Sequence, residues 1–237
     1  MAAPKTKTNE YFLTMTSAPI LKLDGINLHL KSAGGNVHVL KDISLDLPAG
    51  KTISVVGPSG SGKTTLLMIL SGLEKPTTGT VNVAGQQLND LSEDALATFR
   101  RDNVGIVFQN FHLIPTMSAL ENVAIPLELA GHKDAFDRAR AALEAVGLKD
   151  RVTHYPSQLS GGEQQRVAIA RAFAPGPKLI LADEPTGNLD ADTGKKVMDI
   201  LFRFTHQNNA TFILVTHDLA LAAQCDMTLH ISDGRIG

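Results

Sequence analysis

The sequence predicts an α/β fold: a parallel sheet covered by helices on both faces, a small antiparallel sheet near the N-terminus, and an inserted helical segment. Three observations carry that prediction. Short runs of β-branched and aliphatic residues alternate with helix-periodic stretches, as at 52–56, 179–182 and 211–215. The first of those runs leads into a glycine-rich loop and then into a helix-forming stretch. Residues 92–158 break the alternation with a mainly helical pattern.

Each element has a local reason. Residues 1–19 are polar, with a short Tyr11-Phe12-Leu13 patch, and read as a flexible leader without the apolar core of a signal peptide. Residues 20–237 read as one domain. Ile20 to Leu47 reads as short strands joined at Ala33-Gly34-Gly35-Asn36, and Asp46-Leu47-Pro48-Ala49-Gly50 as a turn. Thr52 to Val56 has the apolar continuity of a buried strand, and Lys63 to Leu70 follows as a helix that Gly72 ends. Val81-Asn82-Val83 is a strand running into the Ala84-Gly85 turn.

Within 92–158, Ser118 and Glu121 have capping-box spacing and start a helix that Pro126 should kink or shorten. Asp134 caps the next helix, with Phe136, Ala139, Leu143 and Val146 on its apolar face and Gly147 at its end. Gly162 to Phe173 reads as a helix, Leu179 to Ala182 as a strand, Val197, Ile200, Leu201 and Phe204 as a helical stripe, and Thr211 to Val215 as a strand.

Composition excludes several classes. The chain has 237 residues, 43% of them hydrophobic and 19% charged, which excludes disorder and suits one large domain with an insertion. Lys+Arg 22 against Asp+Glu 24 leaves a net charge of -2, which argues against a nucleic-acid partner. Cys225 stands alone, so no intrachain disulfide forms and a reducing cytoplasm fits. No apolar run approaches the ~18 residues that span a bilayer, so a membrane role has to come through a partner.

The strongest chemical signal is Gly57-Pro58-Ser59-Gly60-Ser61-Gly62-Lys63-Thr64, followed by Thr65. It matches the phosphate-binding loop of P-loop NTPases, whose RecA-like core is a parallel sheet. Glycines let backbone N–H groups turn inward around phosphate oxygens, and the following helix adds its positive end. Lys63 reaches the β- and γ-phosphates, and the Thr64 hydroxyl suits Mg²⁺. A second signal is Leu179-Ile180-Leu181-Ala182-Asp183-Glu184, an apolar strand ending in carboxylates. Asp183 suits Mg²⁺, and Glu184 suits a general base acting on water. A third is Leu159-Ser160-Gly161-Gly162-Glu163, a turn opening a helix and so a second anion site. One phosphate chain does not need two cradles from one subunit, so the second is read as serving the ATP of another subunit.

Leu159 to Glu163 resembles the signature motif of ATP-binding cassette (ABC) ATPases, and the resemblance extends over about residues 20–237. Gln109, after the strand Gly105 to Phe108, resembles the Q-loop glutamine, Asn188-Leu189-Asp190 the D-loop, and His217 the switch histidine. On the residues alone, Gln109 reads as a solvated polar side chain and His217 as a surface histidine at a strand end. The resemblance implies a head-to-tail homodimer with each ATP between Gly57–Thr65 of one copy and Ser160, Gly161, Gly162 and Glu163 of the other. It implies that Glu184 is the catalytic base, that His217 contacts the γ-phosphate, and that Gln109 contacts Mg²⁺ and the attacking water. Two positions depart from the usual pattern. Leu30, beside Lys31, stands where many members have an adenine-stacking aromatic, and Glu163 where many have glutamine.

The stretches Phe108 to Thr116 and Asp183 to Asp190 resemble the subgroup of LolD, MacB and FtsE types, and the whole is most similar to the YbbA-like branch. That implies an ATPase subunit powering a separate permease chain for export or extraction, peripheral on the cytoplasmic face of the membrane. Phe111, Leu113, Ile114 and Met117 form an apolar loop that reads either as a docking groove for a permease helix or as local core packing. The alternatives are a soluble ABC ATPase of translation or DNA repair and a regulatory ATP-binding module.

Overall fold

The structure is a computed structural model that describes residues 19–32 and 35–237. The expected leader, with Tyr11 and Phe12, lies almost wholly outside those residues, and so does part of the expected turn at 33–36.

The chain opens with a long hairpin, β1 (Leu21–Ser32) and β2 (Gly35–Leu47), followed by β3 (Thr52–Val56) and α1 (Lys63–Leu70). Next come β4 (Thr78–Val83), the short β5 (Gln86–Gln87), α2 (Glu93–Asn103) and β6 (Val104–Phe108). The helices α3 (Ala119–Leu129) and α4 (Ala135–Ala145) lead through two 3-10 turns to α5 (Gly161–Phe173). The last third is β7 (Leu179–Asp183), α6 (Ala191–Gln207), β8 (Thr211–Val215), α7 (Leu219–Ala222), β9 (Met227–Ser232) and β10 (Arg235–Ile236). Two sheets result. One is antiparallel in the order β2-β1-β4-β5, and the other has the order β10-β9-β3-β8-β7-β6. In the second sheet only the β9–β10 pair is antiparallel.

Period-2 alternation in the central strands divides the core in two. Leu179 and Leu181 of β7, with Ile213 and Val215 of β8, face α1, α2 and the antiparallel sheet. Ile180 and Ala182, with Phe212 and Leu214, face α3, α4, α5 and α6. Strands buried on both faces need continuous apolar sequence, and β3 and β8 are buried at every position. The loops at the strand ends are therefore the part of this sheet free to carry chemistry.

Several sequence expectations change. The first strands are not short: β1 has 12 residues and β2 has 13, with bulges in their pairing that let so long a ribbon twist over the sheet below. Within 92–158, α2 buries Leu96 and Phe99 beside the antiparallel sheet rather than with the other helices, and the strand expected at 105–108 is β6, an edge strand of the central sheet paired with β7. Pro126 does not end α3, which continues to Leu129. Val123, Ala124 and Leu127 are fully buried there, and that packing offsets the missing N–H. Asp134 occupies the position before α4, yet its side chain accepts no capping hydrogen bond. Ala135, not Phe136, starts the inner face of α4; Phe136 is 43% exposed while Ala139 and Leu143 are sealed. The hairpin β9–β10 and the short α7 were not anticipated from the sequence.

That placement sets a contrast. Leu143→Ala should cost about 2–5 kcal/mol in chemical denaturation, as for any sealed core leucine. Phe136→Glu should stay within about 0.5 kcal/mol of the parent. Comparable losses at both positions would put Phe136 back on the inner face.

Candidate active site

Strand β3 ends at Val56, and the chain turns through Gly57–Gly62 into α1. This loop is walled by backbone. A Cβ on Gly57 would collide with the carbonyl of Ile231, and one on Gly62 would press on the Leu40 side chain and the Val39 carbonyl. Gly60 and Gly62 both adopt positive φ, 76° and 104°. Nothing lies where a Cβ of Gly60 would sit, so that flank is open to a ligand. Pro58 and Ser59 are exposed beside it, whereas Ser61 is buried.

The interior of the loop suits an anion. Lys63 is buried, and its ammonium donates to the carbonyls of Gly57 (2.9 Å) and Pro58 (2.8 Å) across the loop. The start of α1 has no side-chain cap and no acidic residue in its first turn, which leaves its N–H groups for a ligand. Ser61 Oγ is buried without a hydrogen-bond partner. Thr65 follows, half-buried on the first turn. An orphaned hydroxyl, uncapped amides and a buried ammonium fit a phosphate chain.

Strand β7 brings Asp183 to the same place. The Thr64 hydroxyl donates to Asp183 Oδ2 at 2.8 Å. Burial pushes the Asp183 carboxyl above the usual range, opposed by that hydrogen bond; Glu184 pushes it further up and Lys63 pulls it down. A carboxylate denied full solvation beside a hydroxyl is a fitting pair of oxygen ligands for Mg²⁺. That ion takes few protein ligands and completes its shell with water and phosphate oxygens.

Glu184 follows with φ at 45°, uncommon outside glycine, and its N–H donates to the Val215 carbonyl at 2.9 Å. Its carboxylate meets His217 Nδ1 at 3.0 Å; the histidine is 73% exposed and the glutamate 27%. β7 and β8 are neighbours in the sheet, which is why two residues so distant in sequence meet. Glu184, His217 and Asp190 line one cavity of about 530 Å³. Asp190 itself caps α6, accepting from the Thr193 N–H at 3.0 Å, and that bond holds its carboxyl below the usual range.

Gln109 leaves β6 beside this group but does not reach Thr64 or Asp183. Its amide donates to Asn188 Oδ1 at 3.0 Å, and Asn188 donates back to the Gln109 carbonyl at 3.1 Å and to Asn110 Oδ1 at 2.8 Å. A side chain on Gly187 would occupy the space of Gln109. Ser160 and Glu163 close a capping box at the start of α5: Glu163 N–H donates to Ser160 Oγ and Ser160 N–H to Glu163 Oε2. The Ser160 N–H holds the Glu163 carboxyl below its usual range, helped by Arg151 at 3.1 Å. Gly161 lies against Leu189 and the ring of Phe111, and Gly162 is pressed against Thr193. No hydrogen bond or ion pair among the described residues joins 160–163 to 57–65. The two expected anion cradles are separate in one chain.

Leu30, at the expected base position, is 39% exposed and pairs across the hairpin with Val37, 50% exposed. The apolar loop after Gln109 is half-buried at Phe111, Leu113, Ile114 and Met117, and Leu113 packs against the core under α3–α6.

Sequence reasoning missed what seats the glycine loop. Gly234 N–H donates to the Ser61 carbonyl at 3.1 Å, and Lys41 N–H donates to the Gly234 carbonyl at 2.8 Å. Lys41 Nζ also pairs with Asp233 at 2.6 Å. The available signal was Asp233-Gly234 between apolar residues, a hairpin turn signature.

Comparison with known proteins shows the family. The family model described as ABC transporter matches residues 40–187. The chain is 50% identical over 214 residues to the uncharacterized ABC transporter ATP-binding protein YbbA of Escherichia coli K12, covering 88% of this chain and 94% of that one. It is 46% identical over 224 residues to Rv0986, an uncharacterized ABC transporter ATP-binding protein of Mycobacterium tuberculosis, covering 94% of this chain and 90% of that one. Macrolide export ATP-binding/permease protein MacB 1 of Yersinia pestis is 47% identical over 221 residues, covering 92% of this chain but 34% of that larger protein. Among solved structures, a dimeric post-hydrolysis state of the ATP-binding cassette MJ0796 bound to ADP and Pi superposes with a TM-score of 0.84 at 40% identity, covering 91% of this chain and 96% of that one.

The seating of the loop is testable through glycine. Gly234 has φ 73°, and its Cβ would collide with the Val39 carbonyl. Gly234→Ala should lower the melting temperature and weaken binding of a fluorescent ATP analogue. Gly85→Ala, also at positive φ but in open space, should cost about 1 kcal/mol and leave that affinity alone. Unchanged nucleotide binding in Gly234→Ala would mean that the Asp233-Gly234 turn does not seat the loop.

Proposed function

The chain belongs to the ABC transporter family, and on that premise we propose that it is the ATP-hydrolysing subunit that drives a separate permease in export or extraction. The observation that carries the reading is the convergence of Lys63, Thr64, Asp183, Glu184 and His217 at the ends of three adjacent strands, β3, β8 and β7. In an open parallel sheet that edge is where ligands bind.

The residues divide the work. The N–H groups of Gly57–Thr65 and the Lys63 ammonium hold the β- and γ-phosphates, exchanging Lys63's carbonyl partners for phosphate oxygens. Thr64 and Asp183 hold Mg²⁺, which supplies positive charge against the phosphate oxygens. Glu184 accepts the proton of the attacking water, and its left-handed backbone turns the carboxylate out of the strand toward the cavity. His217, 3.0 Å from that carboxylate, orients it and is placed to meet the γ-phosphate. Gln109, tied to Asn188, joins the loop after β6 to the turn after β7.

The separation of the two cradles supports a head-to-tail pair of chains. In that pair Ser160, Gly161 and Gly162 of one copy close over the ATP held by the loop of the other, and Asp190 lies at the seam. No helix among the described residues is long and apolar enough to cross a membrane. Attachment to the cytoplasmic face of the membrane through a permease is part of the proposal.

The test is Glu184→Gln. It should cut kcat for ATP hydrolysis by about 10²–10⁴-fold while ATP binding persists, and ATP should then drive dimerisation seen by light scattering. From detergent-solubilised membranes, that variant with ATP should retain a multi-spanning protein. An unchanged hydrolysis rate would remove Glu184 as the base. Recovery of no membrane protein in several detergents would favour a soluble ABC ATPase.

A further inference from the structure

Helix α5 does more than present Ser160 and the two glycines. Two of its side chains reach back to the segment 108–112, which carries Gln109. Gln165 is fully buried. Its amide nitrogen donates to the Phe108 carbonyl at 3.3 Å and to the Pro185 carbonyl at 2.7 Å. The first acceptor immediately precedes Gln109, and the second immediately follows Glu184. The amide oxygen of Gln165 is buried with no partner. Turning the amide over would set that oxygen against two carbonyl oxygens, so the bridge fixes its orientation. A sealed side chain that leaves its own acceptor orphaned is held for its two donors.

Arg171 grips the other end of the segment. Its guanidinium donates through Nη1 to the His112 carbonyl at 2.7 Å and through Nη2 to the Phe111 carbonyl at 2.9 Å. Burial draws its pKa down, and it forms no ion pair among the described residues. Phe111 and His112 are successive non-glycine residues at positive φ, 56° and 50°. That uncommon backbone brings two consecutive carbonyls within the span of one planar fork. The rings of Phe108 and His112 stack at 4.7 Å, closing the segment on itself.

We propose that Gln165 and Arg171 are positioning residues, which from one helix hold both ends of segment 108–112 and the peptide after Glu184. The two lie six residues apart, about 9 Å along α5. Displacement of α5, when its Ser160 end engages a second copy, therefore carries Gln109 and Glu184 with it. The inference rests on the proposed function, since it assigns a route by which the closing of one cradle sets the groups that hydrolyse at the other.

The experiment uses the full chain with ATP and Mg²⁺. Gln165→Met keeps the side-chain length and removes both donors, and Arg171→Lys keeps the charge but not the fork. Each should lower kcat by about tenfold or more, with KM and the affinity for a fluorescent ATP analogue changed by less than about twofold. Arg171→Met should lose more than Arg171→Lys. Thr205→Val, another sealed polar site on α6, controls for general loosening and should leave kcat intact. The double variant Gln109→Ala/Arg171→Lys should lose no more than Gln109→Ala, because the clamp acts through that segment.

The proposal is overturned if the fall in kcat only tracks lost folded protein, if KM rises at constant kcat, or if the double variant is additive. Should Gln165→Met not fold, the Arg171 series decides alone. An inactive parent, or a Glu184→Gln form as active as the parent, defeats the functional reading itself. Active parent, inactive Glu184→Gln and normal clamp variants defeat only the clamp.

Discussion

Everything at this site depends on seating six residues of backbone, Gly57 to Gly62, between two sheets. The loop must turn its amides inward, which side chains on the wall would prevent. It is also pressed from outside by Ile231, by Val39 and Leu40, and through Ser61 by Gly234. Those contacts come from β2 of the antiparallel sheet and from the β9–β10 hairpin at the edge of the central one. The loop is therefore the joint between the sheets as well as the anion cradle. A glycine at 57, 62 or 234 serves packing as much as chemistry.

The central sheet turns that seat into a site. Its strand β7 is buried on both faces and apolar until its last residue. Asp183 is the first carboxylate that β7 meets, and its burial is incomplete because the strand ends there. The sheet order β3-β8-β7 then sets the loop after β3, the turn after β8 and the turn after β7 side by side. Thr64 meets Asp183 and His217 meets Glu184 without any direct link in sequence. The chemistry is assembled by strand order, and the apolar strands enforce that order.

What was legible follows from the range of each interaction. Local signals read well: the strand at 52–56, the helix at 63–70, the capping box at 118, and the strand at 211–215 agree with the structure. The motif residues stood out because nucleotide chemistry restricts residue type. Long-range seating did not read. Nothing near Gly57 in sequence announces Ile231, and Lys41 meets Asp233 only once both sheets exist. Phe136 misled because helical spacing gives a face but not its edge, and Ala135 takes the inner position. Pro126 sits inside α3 without ending it because intrinsic propensity is weak against three buried neighbours. The hydrogen bonds of Gln109 to Asn188 are likewise a pairing that only the fold creates.

The helix α5 shows why these levels belong together. Its N-terminal turn is closed by Ser160 and Glu163, so the capping side chains are already engaged and the glycines leave the approach to the turn bare. Gly162 lets α5 press on Thr193 at the start of α6, directly after Asp190 caps that helix. Three turns of the same rigid rod hold the carbonyls around Gln109 and beside Glu184. An α-helix transmits displacement along its axis with little bending. A load applied at Ser160 is therefore felt first at Phe108, Phe111 and Pro185, and the buried Gln165 is where the signature end of the molecule and its hydrolytic end share a hydrogen bond.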